Sequence, residues 1–490
     1  MNRDDDHINH YDMHLHVPLH FAISSFRDQL CPITLFNLFT KSSNPNRIHV
    51  RVLQQNDEDD VDCFTEYCNL IKLDPAYYAY FDCPFENSIE VMTIPSSAAK
   101  GPTYARALVS EMIRMAFVDE HLDPQDFCLQ TDSHMDFVQN FDSELIKDWL
   151  LANNEYAILS TYVAPTSDLL NPSFPTKHEV PHLCMVQFTS NVRNWGTKAC
   201  KDLVRPKLTN AVWGAGLSFS KCHAELKVPY DPYTDFVFDG EEFSRAARFW
   251  THGYDIYTPS RVNVLHDYER SQHDPKHSAW GSNRAHKTNI NNDEKSTGDS
   301  PGRYNRASAQ KLLQFPPDPM LEVLTGNERL VSLLEVGRGD KPLSKEAIKL
   351  QRGRYGLGDR RTFDQLIAFS GINTREKKMM GNYCGNLEWV PFDEVIGGAG
   401  VLRQFEGING NEHEVGKGGK VLSVSAMKAK MPSTTDKKGG GWGVQVKAIF
   451  FVWGSFLLMF AFFFWRSFGQ RQGRGRARRG GKKFKSRNYK

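Results

Sequence analysis

The sequence predicts an α/β fold followed by one membrane-spanning helix. Three observations carry this. Residues 20–270 alternate short apolar runs with helical segments, the pattern of a sheet layered by helices. One run, Phe127-Cys128-Leu129-Gln130-Thr131, ends in Asp132-Ser133-His134, and strand carboxyl ends are where open α/β sheets place ligands. Finally, the 18 residues between Lys447 and Arg466 carry no charge and are rich in Phe, just long enough to span a bilayer.

Residues 1–18 are polar, rich in Asp and His, and lack an apolar signal region, so they are expected to be disordered. Strands are expected at Phe21–Ser24, Ile48–Gln54, Ile89–Ile94, Phe127–Thr131, Ala157–Thr161 and Leu183–Phe188. Helices are expected at Ile33–Thr40, Pro102–Phe117, Ser143–Asn153 and Glu241–Thr251. Trp213–Ser220 reads as a strand of small residues, and Val262–His266 as an apolar strand ending in an imidazole. Ser271–Arg306, poor in aliphatics, reads as a mobile loop. Helical periodicity returns at Ala309–Phe315 and Asp364–Phe369. Residues 374–446 are Gly/Lys-rich and read as a linker, 447–466 as the membrane helix, and 467–490 as a basic tail.

Sixty Lys and Arg nearly balance 58 Asp and Glu, but the distribution is uneven. The run Asp57-Glu58-Asp59-Asp60-Val61-Asp62 is acidic, whereas the last 25 residues hold 11 cations and no acid. That tail reads as a solvated membrane flank rather than a nucleic-acid contact. By the positive-inside rule it lies in the cytosol, with the bulk of the chain in an ER or Golgi lumen. No segment seen here would translocate that bulk. Either the protein is tail-anchored and faces the cytosol, or the N-terminus as given is incomplete. Nine cysteines without a Cys-x-x-Cys pair suggest neither a zinc site nor a disulfide framework, and an odd count leaves at least one free or paired outside the chain.

The chemistry-bearing residues gather at predicted strand ends. In a strand, positions i and i+2 point the same way, so Asp132 and His134 are expected to face one cation, with His266 as a third ligand. One carboxylate and two imidazoles, with positions left over, suit Mn²⁺ or Mg²⁺ shared with a diphosphate. Gly101-Pro102 opens a helix whose backbone can approach a phosphate, and Arg106 can add a charged contact. Gly214, Ala215 and Gly216 leave room for a ligand to lie close. Glu241 and Glu242 open the next helix, which also carries Arg245 and Arg248.

The ordered motifs Ser-x-Arg-Asp, Gly-Pro-x-x-Ala-Arg, Leu-Gln-x-Asp-Ser-His-Met, Gly-Ala-Gly-x-Ser-Phe-Ser, Val-Pro-Tyr-Asp-Pro, Phe-x-Gly-Glu-Glu, Trp-Thr-His-Gly-Tyr-Asp and His-x-Tyr-x-Arg span residues 20–373. Together they resemble the polypeptide α-N-acetylglucosaminyltransferases, enzymes that act on the hydroxyproline of a ubiquitin-ligase adaptor or on mucin threonines. The resemblance implies a GT-A fold over 20–373 and retaining, metal-assisted transfer of GlcNAc from UDP-GlcNAc to a Thr, Ser or hydroxyproline hydroxyl of an acceptor polypeptide. It implies Asp132, His134 and His266 as metal ligands, Ser24, Arg27 and Arg106 at the uridine diphosphate, and Gly214, Ala215 and Gly216 along the sugar. Glu241 and Glu242 would lie beside donor sugar and acceptor hydroxyl. Two alternatives are a membrane-tethered, non-catalytic UDP-sugar binder and a metal-dependent nucleotide-diphosphate hydrolase. The second needs further carboxylates beside the metal to activate water, and none clusters near Asp132.

Overall fold

Parallel pairing of the first four apolar runs builds the centre of the molecule. The computed structural model describes His14 and residues 16–171, 179–269, 315, 324–381 and 383–387. Strands β1 (Leu19–Phe26), β2 (Ile48–Asn56), β3 (Ile89–Pro95) and β4 (Phe127–Asp132) lie parallel in the order β3-β2-β1-β4. They are joined by α1 (Cys31–Lys41), α2 (Cys63–Ile71) and α3 (Pro102–Val118). Strands covered on both faces read as near-continuous apolar runs, and side-chain alternation sorts them. Phe21, Ile23, Val50, Val52, Phe127 and Leu129 pack against α1 and α2. Leu53 and Ile94 pack on the opposite face, against Tyr104, Leu108 and Met112 of α3. Because β1 has β2 on one side and β4 on the other, the carboxyl ends of β1 and β4 flank the switch point where such sheets open a crevice.

Beyond β4 come β5 (Met135–Phe137), α4 (Phe141–Leu151), β6 (Ala157–Leu159), β7 (Ala164–Pro165), β8 (Glu179–Phe188), β9 (Val192–Lys201), β10 (Lys207–Leu208) and β11 (Leu217–Lys221). Helices α5 (His223–Lys227) and α6 (Glu241–Thr251) follow, then β12 (Asp255–Thr258) and β13 (Val264–His266). The eight-stranded sheet runs β10-β12-β6-β11-β4-β1-β2-β3, with β11 antiparallel to β4. A second sheet, β5-β13-β7, sits beyond the carboxyl end of β4. The hairpin β8–β9 packs with α6, α7 (Gly326–Leu333), α8 (Lys345–Arg352) and α9 (Phe363–Ser370) around a separate core that includes Leu183, Val192, Phe243, Trp250, Leu333 and Leu366. Thr362 and Gln365 form a reciprocal cap on α9.

Several expectations need correction. Trp213–Ser220 is not one strand: residues 213–216 form a loop and only Leu217–Lys221 pairs. The strand expected at Ala157–Thr161 stops at Leu159. The Leu183–Phe188 run belongs to the β8–β9 hairpin, outside the main sheet. The absence of a disulfide framework is overturned: Cys31–Cys63, Cys68–Cys83, Cys128–Cys222 and Cys184–Cys384 are bonded, and Cys200 is the free thiol. Their sequence separations run from 15 to 200 residues, so no local spacing announces them. Of the expected linker, the described part packs: Thr374 is buried and Cys384 is tied to β8. The Ser271–Arg306 loop, residues 309–314, the linker beyond 387, the 447–466 segment and the tail lie outside the described residues, as do residues 1–13. No helix among the described residues is long and apolar enough to cross a membrane.

Candidate active site

Strand alternation aims Asp132. It shares the β4 face of Cys128, which packs against α3, and its register partner on β1 is Ser24. On that face Arg106, one turn into α3, donates from Nη2 to Asp132 Oδ1 at 2.8 Å. Gly101 holds φ 97 just before Pro102, a conformation open to glycine and costly for other residues.

His134 reaches the same place by another route than strand periodicity. β4 ends at Asp132, and Ser133-His134 bend into β5. That bend is gripped from α1: the Thr34 hydroxyl donates to Ser133 O at 2.8 Å and accepts the Met135 N–H at 2.8 Å. β13 pairs antiparallel with β5, setting His266 opposite Met135. The two imidazoles then meet Nε2 to Nε2 at 2.8 Å, and His266 Nε2 lies 3.6 Å from Asp132 Oδ2. One donor atom from each of Asp132, His134 and His266 falls within 4.8 Å of the others. One carboxylate and two imidazoles converging so closely fit a divalent cation of the Mn²⁺ type with open positions.

Glu241 is buried at the first turn of α6 and pairs with Arg106 Nη1. Burial works against the Arg106 charge, but Glu241, Tyr230 and Asp132 reverse that and raise its pKa. Arg106 is therefore a fixed cation between Asp132 and Glu241. Burial raises the pKa of Glu241 in turn, with Arg106 opposing. Glu242 accepts the Ala215 N–H at 3.1 Å and the Tyr162 hydroxyl at 3.0 Å. Burial pushes its pKa up to about 7, although the Ala215 N–H pulls the other way. Glu242 thus braces the 213–216 loop, and that loop faces the triad: a Cβ on Gly216 would lie 3.4 Å from Asp132 Oδ2. A Cβ on Gly214 would come within 2.9 Å of Thr161 O, so this glycine serves packing.

The remaining site candidates fall into place around this centre. Ser24 is half-buried at the end of β1 beside Asp132. Arg27 adopts φ 50 and turns its guanidinium to Asp57 and Asp60, at 2.9 and 2.8 Å. Its observed role is to tie the end of β1 to the acidic loop after β2. Two residues were not singled out from sequence. Tyr162 closes the run Leu159-Ser160-Thr161-Tyr162, and nothing local says that its hydroxyl meets Glu242. Asp28 stands in the Ser-x-Arg-Asp motif, yet nothing local says that it points at His134.

The chain matches the family described as Glycosyltransferase (GlcNAc) over residues 19–82 and 79–376. It belongs to this glycosyltransferase family. No curated protein matches it. Among solved structures the glycosyltransferase is similar to GalNAc-T7 with UDP, GalNAc and Mn²⁺, at 11% identity and TM-score 0.34, over 51% of this chain and 44% of that one. It is also similar to the mannosyltransferase PcManGT from Pyrobaculum calidifontis in complex with GDP-Man and Mn²⁺, at 12% identity and TM-score 0.30, over 51% of this chain and 56% of that one. A third is S. aureus TarS 1–349, at 11% identity and TM-score 0.30, over 51% of this chain and 61% of that one. The glycosyltransferase thus spans about half the length of these structures, and at such scores the likenesses carry no argument.

Proposed function

We propose that this glycosyltransferase is a GT-A-type enzyme that moves GlcNAc, with retention, from UDP-GlcNAc to a Thr, Ser or hydroxyproline hydroxyl of a polypeptide. The observation that carries the reading is the convergence of Asp132, His134 and His266 at the sheet's switch point, faced by the Gly-Ala-Gly loop. These three residues would hold Mn²⁺ or Mg²⁺, which when bound offsets diphosphate charge as a Lewis acid. Arg106 adds a second, permanent positive charge beside that position and so favours the departing UDP. The missing side chain at Gly216 lets the sugar approach Asp132. Glu242 holds that loop and borders the acceptor side.

In the proposed step the bond from the sugar's C1 to the β-phosphate oxygen breaks, and a bond from C1 to the acceptor oxygen forms on the same face. The hydroxyl proton passes to the departing phosphate oxygen, so charge and protons balance without a covalent enzyme intermediate. Glu241 is committed to Arg106, which disfavours it as a nucleophile. The deciding experiment measures UDP release and sugar transfer by the full chain with Mn²⁺, UDP-GlcNAc and Thr, Ser and hydroxyproline peptides. Transfer that disappears in Asp132→Ala is expected. UDP release without transfer to any peptide would make it a hydrolase, and failure to bind UDP with Mn²⁺ would remove the donor-site reading.

The same reading places the catalytic unit in an oxidising lumen, because four disulfides in one unit are typical of that environment. The 447–466 segment, uncharged between Lys447 and Arg466, would then be the membrane anchor and the basic tail its cytosolic flank. Protease protection of the catalytic unit in sealed vesicles is the expected result; digestion without detergent would put it in the cytosol.

A further inference from the structure

We infer that Asp28 is the positioning residue of the metal centre: its buried carboxylate fixes the tautomer and ring orientation of His134. The inference rests on the metal-centre reading above and goes beyond its ligand set.

Asp28 follows β1 and is 4% exposed. Its Oδ2 lies 2.7 Å from His134 Nδ1 and accepts the Ser133 hydroxyl at 2.6 Å. Its Oδ1 accepts the Leu30 N–H at 3.0 Å. Ser133 Oγ and the Leu30 amide thus donate to different oxygens of one carboxylate, which fixes the plane of the group before the imidazole is considered. A carboxylate so placed accepts from Nδ1–H. The His134 proton therefore resides on Nδ1, and the Nε2 lone pair points at His266 Nε2, 2.8 Å away, on the side where Asp132 also converges. A metal-binding imidazole needs this tautomer, and a carboxylate on the far nitrogen both selects it and raises ligand basicity. The backbone on either side of His134 is held by Thr34, which fixes the point from which the ring projects toward Asp28.

The choice of aspartate follows from the donor pattern. An asparagine at 28 has one accepting oxygen. If that oxygen faces His134 and Ser133, its NH₂ faces the Leu30 N–H; if reversed, its NH₂ faces Nδ1–H. One donor opposes another in both orientations.

The test compares Asp28→Asn, Asp28→Ala and His134→Ala in the full chain. Mn²⁺ affinity is titrated calorimetrically in the absence of nucleotide, and thermal melting is followed on the same samples. Asp28→Asn is expected to fold and to weaken Mn²⁺ binding roughly 10-fold, and Asp28→Ala up to ~100-fold, the range for lost outer-shell partners. Excess Mn²⁺ should return turnover of Asp28→Asn toward the parent level, so that the change appears in the metal requirement. Parent-like Mn²⁺ affinity in both folded Asp28 variants, with affinity lost in His134→Ala, overturns the positioning role and spares the metal centre. Parent-like affinity in His134→Ala overturns the metal-centre reading itself. If both Asp28 variants merely melt earlier while binding Mn²⁺ normally, Asp28 is a structural cap and the inference fails.

Discussion

Glu242 reports on the site through the 213–216 loop it braces. Its pKa is raised to about 7 by burial, from an ordinary value of 4.5. A carboxylate raised on folding favours the protonated folded state. Its contribution to stability is complete below the unfolded pKa and is lost as pH climbs through 7. Glu242→Gln keeps an oxygen for the Ala215 N–H, and the Tyr162 hydroxyl can turn to accept. The variant should therefore melt higher than the parent at pH 8, by the equivalent of about 3 kcal/mol, with the gap closing at pH 4. An equal effect at both pH values would mean that Glu242 is ionised throughout. At this scale the sequence was legible in part. Asp132, His134, His266, Glu241 and Glu242 all stand out by type and position. That Arg106 is held between Asp132 and Glu241, and Asp28 against His134, is invisible, because these partners lie 26, 135 and 106 residues apart.

Among the elements, α6 does the most joining. Phe243, Ala247 and Trp250 enter the core shared with the β8–β9 hairpin and the C-terminal helices. Ala246 and Phe249 enter the core of Trp213, Tyr230 and Tyr254. A helix apolar on two faces is held from both sides, so its first-turn carboxylates are set by two cores at once. The C-terminal segment is tied to β8 by Cys184–Cys384, which closes the longest loop of the four disulfides, 200 residues. Replacing both cysteines by serine should cost about 2–5 kcal/mol, read as a lower Tm for the variant than for the oxidised parent. If the double variant melts with the parent, the packing of α9 and the β8–β9 hairpin suffices to hold the segment. Helix bounds were largely legible: Glu241–Thr251 was expected as found, and Pro102–Phe117 differs by one residue. The β9 strand and α2 were missed. β9 exposes Arg193, Trp195, Lys198 and Lys201, and α2 is only nine residues long.

Across the whole catalytic unit, charge is buried at both ends of the parallel strands, not only at the site. At the amino ends His20, fully buried, holds Asp126 at 2.9 Å and meets Arg51 at 3.0 Å, while stacking on His49. Burial lowers the pKa of His49 to about 4 and lowers that of His20, despite the Asp126 carboxylate. For a base depressed on folding, stability is complete above the unfolded value near 6.5 and is lost as pH falls toward 4. The catalytic unit should therefore lose Tm between pH 6.5 and 4, and His49→Gln should flatten that loss. A parent curve unchanged by His49→Gln would assign acid lability elsewhere.

By itself the sequence determined the local alternation of strands and helices, and it singled out Asp132, His134 and His266 and the small-residue stretch at 214–216. The alternation follows from short-range periodicity, which backbone geometry converts directly into faces and ends, and the residues stand out by type at the ends of apolar runs. Only the tertiary structure decided which cysteines bond, that His134 arrives by a bend rather than by strand alternation, and which carboxylate orients it. Each of those depends on sheet order, β4 beside β1 and β13 beside β5. Sheet order is settled by the packing of distant apolar faces against one another, and no short stretch of chain encodes it.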